Sequence, residues 1–205
     1  ITGYGEFGSG VAAHALVGLI EDFKPHVIGQ DPEAVEKLYF DLYRLMRQAP
    51  GGLVNMGIAA IELACWDIKG KAMGVPVNNL LGGPYRDKQR VYWSHLASAR
   101  AGDPTLAPDK PLKDWDAVAA AAQEVPAAGY TAFKTNILWP GETPRAISQS
   151  RDGKSHDQRA DTDLVRHATK QIEVMRDAVG DDVDILLGIN YNFKTAGAIS
   201  VARAL

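Results

Sequence analysis

The chain has 205 residues, 46% of them hydrophobic and 23% charged, with a formal net charge of −3. That length allows one or two modest domains with cores of their own, and the composition is that of an ordinary water-soluble globular protein. Lys and Arg are scattered, which offers nucleic acid no basic surface, and no apolar run approaches the roughly 18 residues of a membrane span.

Residues 1–6 (ITGYGE) alternate loosely between glycines and predict a short strand, followed by a Gly-Ser loop over 7–10. Residues 11–23 carry apolar positions at helical spacing and are predicted to stop before Pro25. Asp31 is predicted to cap a second helix. Pro32 takes its first position, and Glu33 and Glu36 sit in the first turn, where negative charge suits the helix dipole. Leu38, Leu42 and Leu45 mark its inner face, and it should end near Gln48, ahead of the break at Pro50, Gly51 and Gly52. The stretch 57–83, GIAAIELACWDIKGKAMGVPVNNLLGG, predicts a long third helix. Ile58, Ile61, Cys65 and Ile68 share one of its faces, and Lys69, Lys71 and Gly74 signal its end. Pro76–Leu81 then makes a short helical turn closed by Gly82 and Gly83. Cys65 is the single cysteine, which excludes a disulfide framework and a Cys-rich zinc site; among apolar helical neighbours it should be buried and inert. No secretory leader is visible in this stretch, and the protein is expected to be cytoplasmic.

After Asp87 the pattern changes. Strands are predicted at 90–97 (RVYWSHLA), 130–138 (YTAFKTNIL) and 183–191 (VDILLGINY), with helices at 112–128, 162–179 and 195–205. A β-α-β-α-β-α order implies parallel strands with right-handed crossovers, continuing into a barrel or a doubly wound sheet. Two irregular stretches, 98–111 and 139–160, leave the carboxyl ends of strands, where α/β barrels place their functional loops. The second reads equally well as a solvated insertion.

Few residues in this frame carry chemistry. Lys134 stands near the end of the second predicted strand, in Phe133-Lys134-Thr135-Asn136. Burying an ammonium without a partner is costly, so such a lysine either serves an anion at the strand's mouth or reaches solvent there. The third strand runs out through Gly188-Ile189-Asn190-Tyr191-Asn192, and alternation puts Gly188, Asn190 and Asn192 on one face. Asparagine carbonyls suit a hard cation or a substrate hydroxyl, and asparagines also form turns. His95 lies in the first strand, within reach of the same mouth, or is a satisfied structural histidine. His14, His26, His156 and His167 show no metal-ligand spacing.

On these segments the chain resembles the mandelate racemase and muconate lactonizing branch of the enolase superfamily. The 57–83 stretch is similar to the family's hinge into its barrel, ITGYGE to a strand of its capping domain, and 90–98, 129–138 and 184–197 to its first three barrel strands. The resemblance implies an α/β fold: part of an α+β capping domain over 1–87, then the first three β/α units of an incomplete β/α barrel over 88–205. The chain is accordingly expected to be an internal fragment, inactive by itself. Enzymes of the branch abstract the proton next to a carboxylate, with Mg²⁺ stabilising the enediolate. The implied partner is a small carboxylate substrate, and the full-length protein is expected to be a homo-oligomer. Lys134 matches the first lysine of the family's Lys-x-Lys strand end, and Asn136 stands in place of the second; both are taken as catalytic candidates. Gly188 stands where the family carries an aspartate metal ligand, so the metal ligands here are unassigned. Asn190, His95 and Phe7, the last in a specificity-loop position, are the substrate-contact candidates. The implied activity is that of an acid-sugar (aldonate or aldarate) dehydratase. The alternatives are a racemase or cycloisomerase, or a non-catalytic member whose metal site has decayed.

Overall fold

The computed structural model describes residues 1–8, 13–45, 47, 51–147, 160–190 and 192–205. The expected end of the second helix at Gln48, the bulk of the 139–160 loop with His156, and Tyr191 lie outside the described residues. Contacts divide the chain into two compact units, Ile1–Lys88 and Gln89–Leu205.

The first unit contains α1 (Ala13–Val27), α2 (Val35–Leu45), α3 (Gly52–Met73) and the short α4 (Val77–Leu80). Its core joins one residue from each long helix, Phe23, Leu42 and Ile58. A neighbouring group sets Val35 and Leu38 against Cys65, with Ile61 touching both groups. The predicted face of α3 is therefore the packed one, and burial pushes the Cys65 thiol up from its ordinary value, as expected of an inert buried cysteine. Helix α3 ends at Gly74, whose φ of 68° lies in the left-handed region that glycine tolerates best.

Four expectations for this unit are corrected. Helix α1 runs through Pro25 instead of stopping before it, because Phe23 and Val27 are packed into the core and hold the last turn in place. Helix α2 begins at Val35; Asp31 organises a turn ahead of it, accepting from the Glu33 N–H at 2.9 Å. Leu45 is largely exposed, and the inner face is Val35, Leu38 and Leu42. Residues 1–6 form no strand. They lie along α3, so closely that a Cβ on Gly3 would stand 2.1 Å from the Ala64 carbonyl oxygen and one on Gly5 would stand 1.8 Å from that of Ala60. Two extended residues cover about the same length as one helical turn, so glycines at every second position meet carbonyls four residues apart. The Tyr4 N–H donates to Asp67 at 2.8 Å, and Lys71 joins that carboxylate to the Thr2 carbonyl.

The second unit contains α5 (Ser98–Gly102), a 3₁₀ turn (Pro104–Leu106), α6 (Trp115–Ala127), β1 (Ala132–Asn136), β2 (Leu138–Trp139), β3 (Arg145–Ala146), α7 (Thr162–Val179), β4 (Asp184–Gly188) and α8 (Thr195–Ala204). Asp114 and Asp161 cap α6 and α7 by accepting from the N–H groups of Ala117 and Leu164. Strands β1 and β4 pair in parallel from Ala132↔Asp184 to Asn136↔Gly188. On the other side of β1 the chain at Trp93 makes one parallel bridge to Phe133. Phe133 and Ile185 pack among Val118, Ala121, Val125 and Met175 of α6 and α7. The face that carries Lys134, Asn136, Leu186 and Gly188 is thus turned away from the two helices. At the opposite, amino end, Arg90 ties the three runs together, donating to Thr131 and pairing with Asp184 at 2.8 Å.

The parallel order of the three runs agrees with the β-α-β-α-β pattern of the sequence. Other expectations do not survive. The predicted strand 90–97 is reduced to the single bridge at Trp93, because His95 and Ala97 both take φ of 56° and turn the chain out of the ladder. The irregular stretch predicted after it contains α5 and the 3₁₀ turn. The long loop predicted from Trp139 begins with an antiparallel ladder, Leu138↔Ala146 and Trp139↔Arg145. The third strand stops at Gly188 rather than continuing to Tyr191.

Candidate active site at the carboxyl end of the parallel strands

Register brings Lys134, Asn136 and Gly188 together. A Cβ at Gly188 would meet Lys134 Cε at 2.9 Å and Asn136 Nδ2 at 3.1 Å, so both side chains lie over the position that has no side chain of its own. Lys134 is half-buried and Asn136 is 4% exposed. Both ends of the Asn136 carboxamide are engaged. Its Nδ2 donates to the Gly188 carbonyl at 2.9 Å, and its Oδ1 faces His95 Nδ1 at 3.0 Å and the Ser98 hydroxyl at 3.3 Å. Asn136 therefore joins three segments, the bend after Trp93, the end of β1 and the end of β4.

Backbone strain gathers at the same place. Among the described residues the non-glycine positions with positive φ are His95, Ala97 and Asn190, and each lies just past the carboxyl end of a parallel run. At Ala97 (φ 56°, ψ −46°) the Ser98 N–H closes back onto the Leu96 carbonyl at 2.5 Å, a γ-turn of the rare, strained kind. Such conformations cost on the order of 1–3 kcal/mol each and persist where their surroundings over-determine them.

Two buried polar residues that the sequence did not single out hold this end in shape. Gln171, from α7, is fully buried; its Oε1 accepts from the Leu138 N–H and its Nε2 donates to the Asn136 carbonyl, both at 2.9 Å. Thr135 is also fully buried and donates to the Leu96 carbonyl at 2.9 Å. A glutamine on the apolar side of a predicted helix, one turn from Ala168 and Met175, was the available signal for the first.

The remaining candidates are placed less centrally. Asn190 is exposed in the turn that follows β4, with φ of 47°, so strand alternation does not carry it onto the face of Gly188. Asn192 is a turn former, its Nδ2 donating to the Ile189 carbonyl. Phe7 belongs to the first unit and is partly exposed; the end of its loop, Ser9 and Gly10, lies outside the described residues. His167 stacks on Trp139 and donates through Nε2 to the Leu138 carbonyl at 2.6 Å, a structural role.

The comparisons with known proteins agree with this architecture. Residues 1–82 match the family "Mandelate racemase / muconate lactonizing enzyme, N-terminal domain". The whole chain is 36% identical to a D-galactonate dehydratase of Verminephrobacter eiseniae, covering 44% of that protein. A crystal structure from Burkholderia xenovorans, described as a candidate L-alanine-DL-glutamate epimerase, superimposes on 99% of the chain with a TM-score of 0.91 at 34% identity, over 52% of its own length. A second structure from that strain under the same description, bound to magnesium and fumarate, gives a TM-score of 0.87 over 97% of this chain and 49% of its own. Residues 1–82 thus match the mandelate racemase and muconate lactonizing family, and the whole chain is similar in sequence and fold to the relatives just named. It spans about half the length of the relatives it matches.

Proposed function

We propose that the full-length protein is an acid-sugar dehydratase, which removes the proton α to a carboxylate and expels a β-hydroxyl as water. In this reading residues 1–87 are part of a capping domain and residues 88–205 are the first three β/α units of a barrel, with the Lys134 face turned inward. The observation that carries it is the convergence of Lys134 and Asn136 over Gly188, in a chain 36% identical to a D-galactonate dehydratase. The Lys134 ammonium is the counter-charge for the substrate carboxylate. Asn136 stands where the family's second lysine would act as base, and its carboxamide neither gains nor loses a proton at working pH. That weighs against a reaction needing a base on each face of the carbon. Epimerisation stays as the second reading because the structural neighbours from Burkholderia xenovorans carry that description.

Mg²⁺ is bound in one of those neighbours, but the residues described here do not fit it. No three acidic, histidine or cysteine side chains gather among the described residues. Gly188 offers no carboxylate, and the Lys134 stem covers its place. Asp184 lies at the far end of β4, paired with Arg90. No step is therefore routed through a metal held by these residues.

The test is to incubate the full-length protein with D-galactonate, D-gluconate and further aldonates in D₂O. Dehydration yields a 2-keto-3-deoxy acid. Deuterium entering the α position with inversion there and no loss of water would establish the second reading, and neither change with any aldonate would overturn the dehydratase reading.

A further inference from the structure

The Asn136 contacts determine more than a packing arrangement. Its Nδ2 donates to the Gly188 carbonyl, which can only accept, so the carboxamide has one orientation and its oxygen faces His95. That oxygen is itself only an acceptor, already approached by the Ser98 hydroxyl. His95 Nδ1, 3.0 Å away, must therefore carry a hydrogen. In the neutral ring the lone pair then lies on Nε2, and in the imidazolium the Nδ1–H meets the same acceptor. Only Nε2 gains or loses a proton. The ring is exposed, and Nε2 has no partner among the described residues.

We propose that His95 is the proton-transfer residue of this site, and that Asn136 is a positioning residue that fixes it as the Nδ1–H tautomer with Nε2 presented to substrate. The proposal deepens the dehydratase reading and rests on it for the substrate class. Three further observations support it. The left-handed φ of His95 and the γ-turn at Ala97 hold the backbone in a form that favourable chain geometry would not select. Thr135 and Leu96 lock that bend to β1 through a fully buried hydrogen bond. Lys134, from the same open face of β1 as Asn136, supplies positive charge beside Gly188.

The step balances within the site. The substrate C–H bond α to the carboxylate breaks, its electron pair staying on the substrate as an enediolate, and an Nε2–H bond forms. The imidazolium then returns that proton to the β-hydroxyl, the C–O bond breaks with its electrons on oxygen, and water leaves a neutral ring behind.

The experiment has two arms on the full-length protein labelled with ¹⁵N-histidine. Long-range ¹H–¹⁵N spectra should show neutral His95 protonated at Nδ1, and Asn136→Leu should shift the ring toward the Nε2–H form. An Nε2–H ring in the native protein, or an unchanged tautomer in Asn136→Leu, overturns the positioning role whatever the substrate. In the second arm, His95→Asn, which tolerates the left-handed backbone, should lower kcat with an acid sugar by about 10²–10⁴-fold. KM should move far less. Native-like kcat in a folded His95→Asn overturns the proton-transfer role. If no aldonate is dehydrated or exchanged by the native protein, the dehydratase reading fails and the proton-transfer role falls with it, while the tautomer result stands by itself.

Discussion

Replacing Gln171 by leucine isolates the structural support of the site. The two side chains are similar in size, so the change removes hydrogen bonds without opening a large cavity. Leu138 N–H would lose its acceptor at 2.9 Å, and the Asn136 carbonyl would be left with a share of the single Thr135 hydroxyl hydrogen, which lies closer to the Leu96 carbonyl (2.9 Å) than to it (3.1 Å). Leu138 is fully buried and Asn136 is 4% exposed, so water does not replace the lost partners. A buried polar group left unpaired costs about 1–3 kcal/mol, which for one full and one partial loss gives about 2–4 kcal/mol. Urea unfolding followed by tryptophan fluorescence reports mainly on this unit, because Trp93, Trp115 and Trp139 lie in it and only Trp66 lies in the other. Amide exchange at Leu138 should accelerate about a hundredfold for a loss near 3 kcal/mol. A loss below about 1 kcal/mol with unchanged Leu138 exchange would falsify the claim that Gln171 holds the end of β1.

Other perturbations test other parts of the molecule. Gly5→Ala forces a Cβ to within 1.8 Å of the Ala60 backbone oxygen, which has no flexible end to yield; residues 1–6 should lift from α3, with faster exchange at Tyr4 and a loss of about 1–3 kcal/mol. The Arg100 guanidinium, helped by Lys110 and opposed by partial burial, holds the Glu124 carboxyl below its ordinary 4.5. The stability this contributes is present above pH 4.5 and is lost as pH falls through the lower folded value, so Glu124→Gln should flatten the acid limb of a stability–pH curve; an unchanged limb contradicts it. A Cβ from Gly188→Asp crowds the far end of the Lys134 side chain and the Asn136 amide and stands at ordinary contact distance, 3.4 Å, from the Thr135 backbone oxygen, so the protein should stay folded at a cost of about 1–3 kcal/mol. Calorimetry should then find tighter Mg²⁺ binding in the full-length variant than in the native form; equal affinity would show that the ion is held by other groups.

Helix α3, the packed face of Ile58 and Cys65, and the parallel order of the second unit were legible because each follows from local periodicity. The 3.6-residue spacing of apolar side chains and the alternation of strands and helices are written into neighbouring residues. That Lys134 and Gly188 would meet at the strand ends was also legible, through the resemblance; the register, which pairs Gly188 with Asn136 and Lys134 with Leu186, was not. What failed was each boundary that depends on a distant partner. Helix α1 passes Pro25 because Phe23 and Val27 have a core to enter. Residues 1–6 lie on a helix although their glycine alternation suggests a strand, because the groups they meet are sixty positions away.

The sequence by itself determined which residues are available at the end of β1 and β4: a lysine, an asparagine where a second lysine was expected, and a glycine where a carboxylate was expected. Tertiary structure decided what they do to one another. Asparagine can donate and accept at once, and which end faces which neighbour depends on the Gly188 carbonyl on one side and the His95 ring on the other. Those groups are 52 and 41 residues from Asn136 in the chain and are brought to it only by the parallel register and the strained bend past Trp93. Local propensity carries no information about such an encounter, because hydrogen-bond direction is set by the partner that arrives.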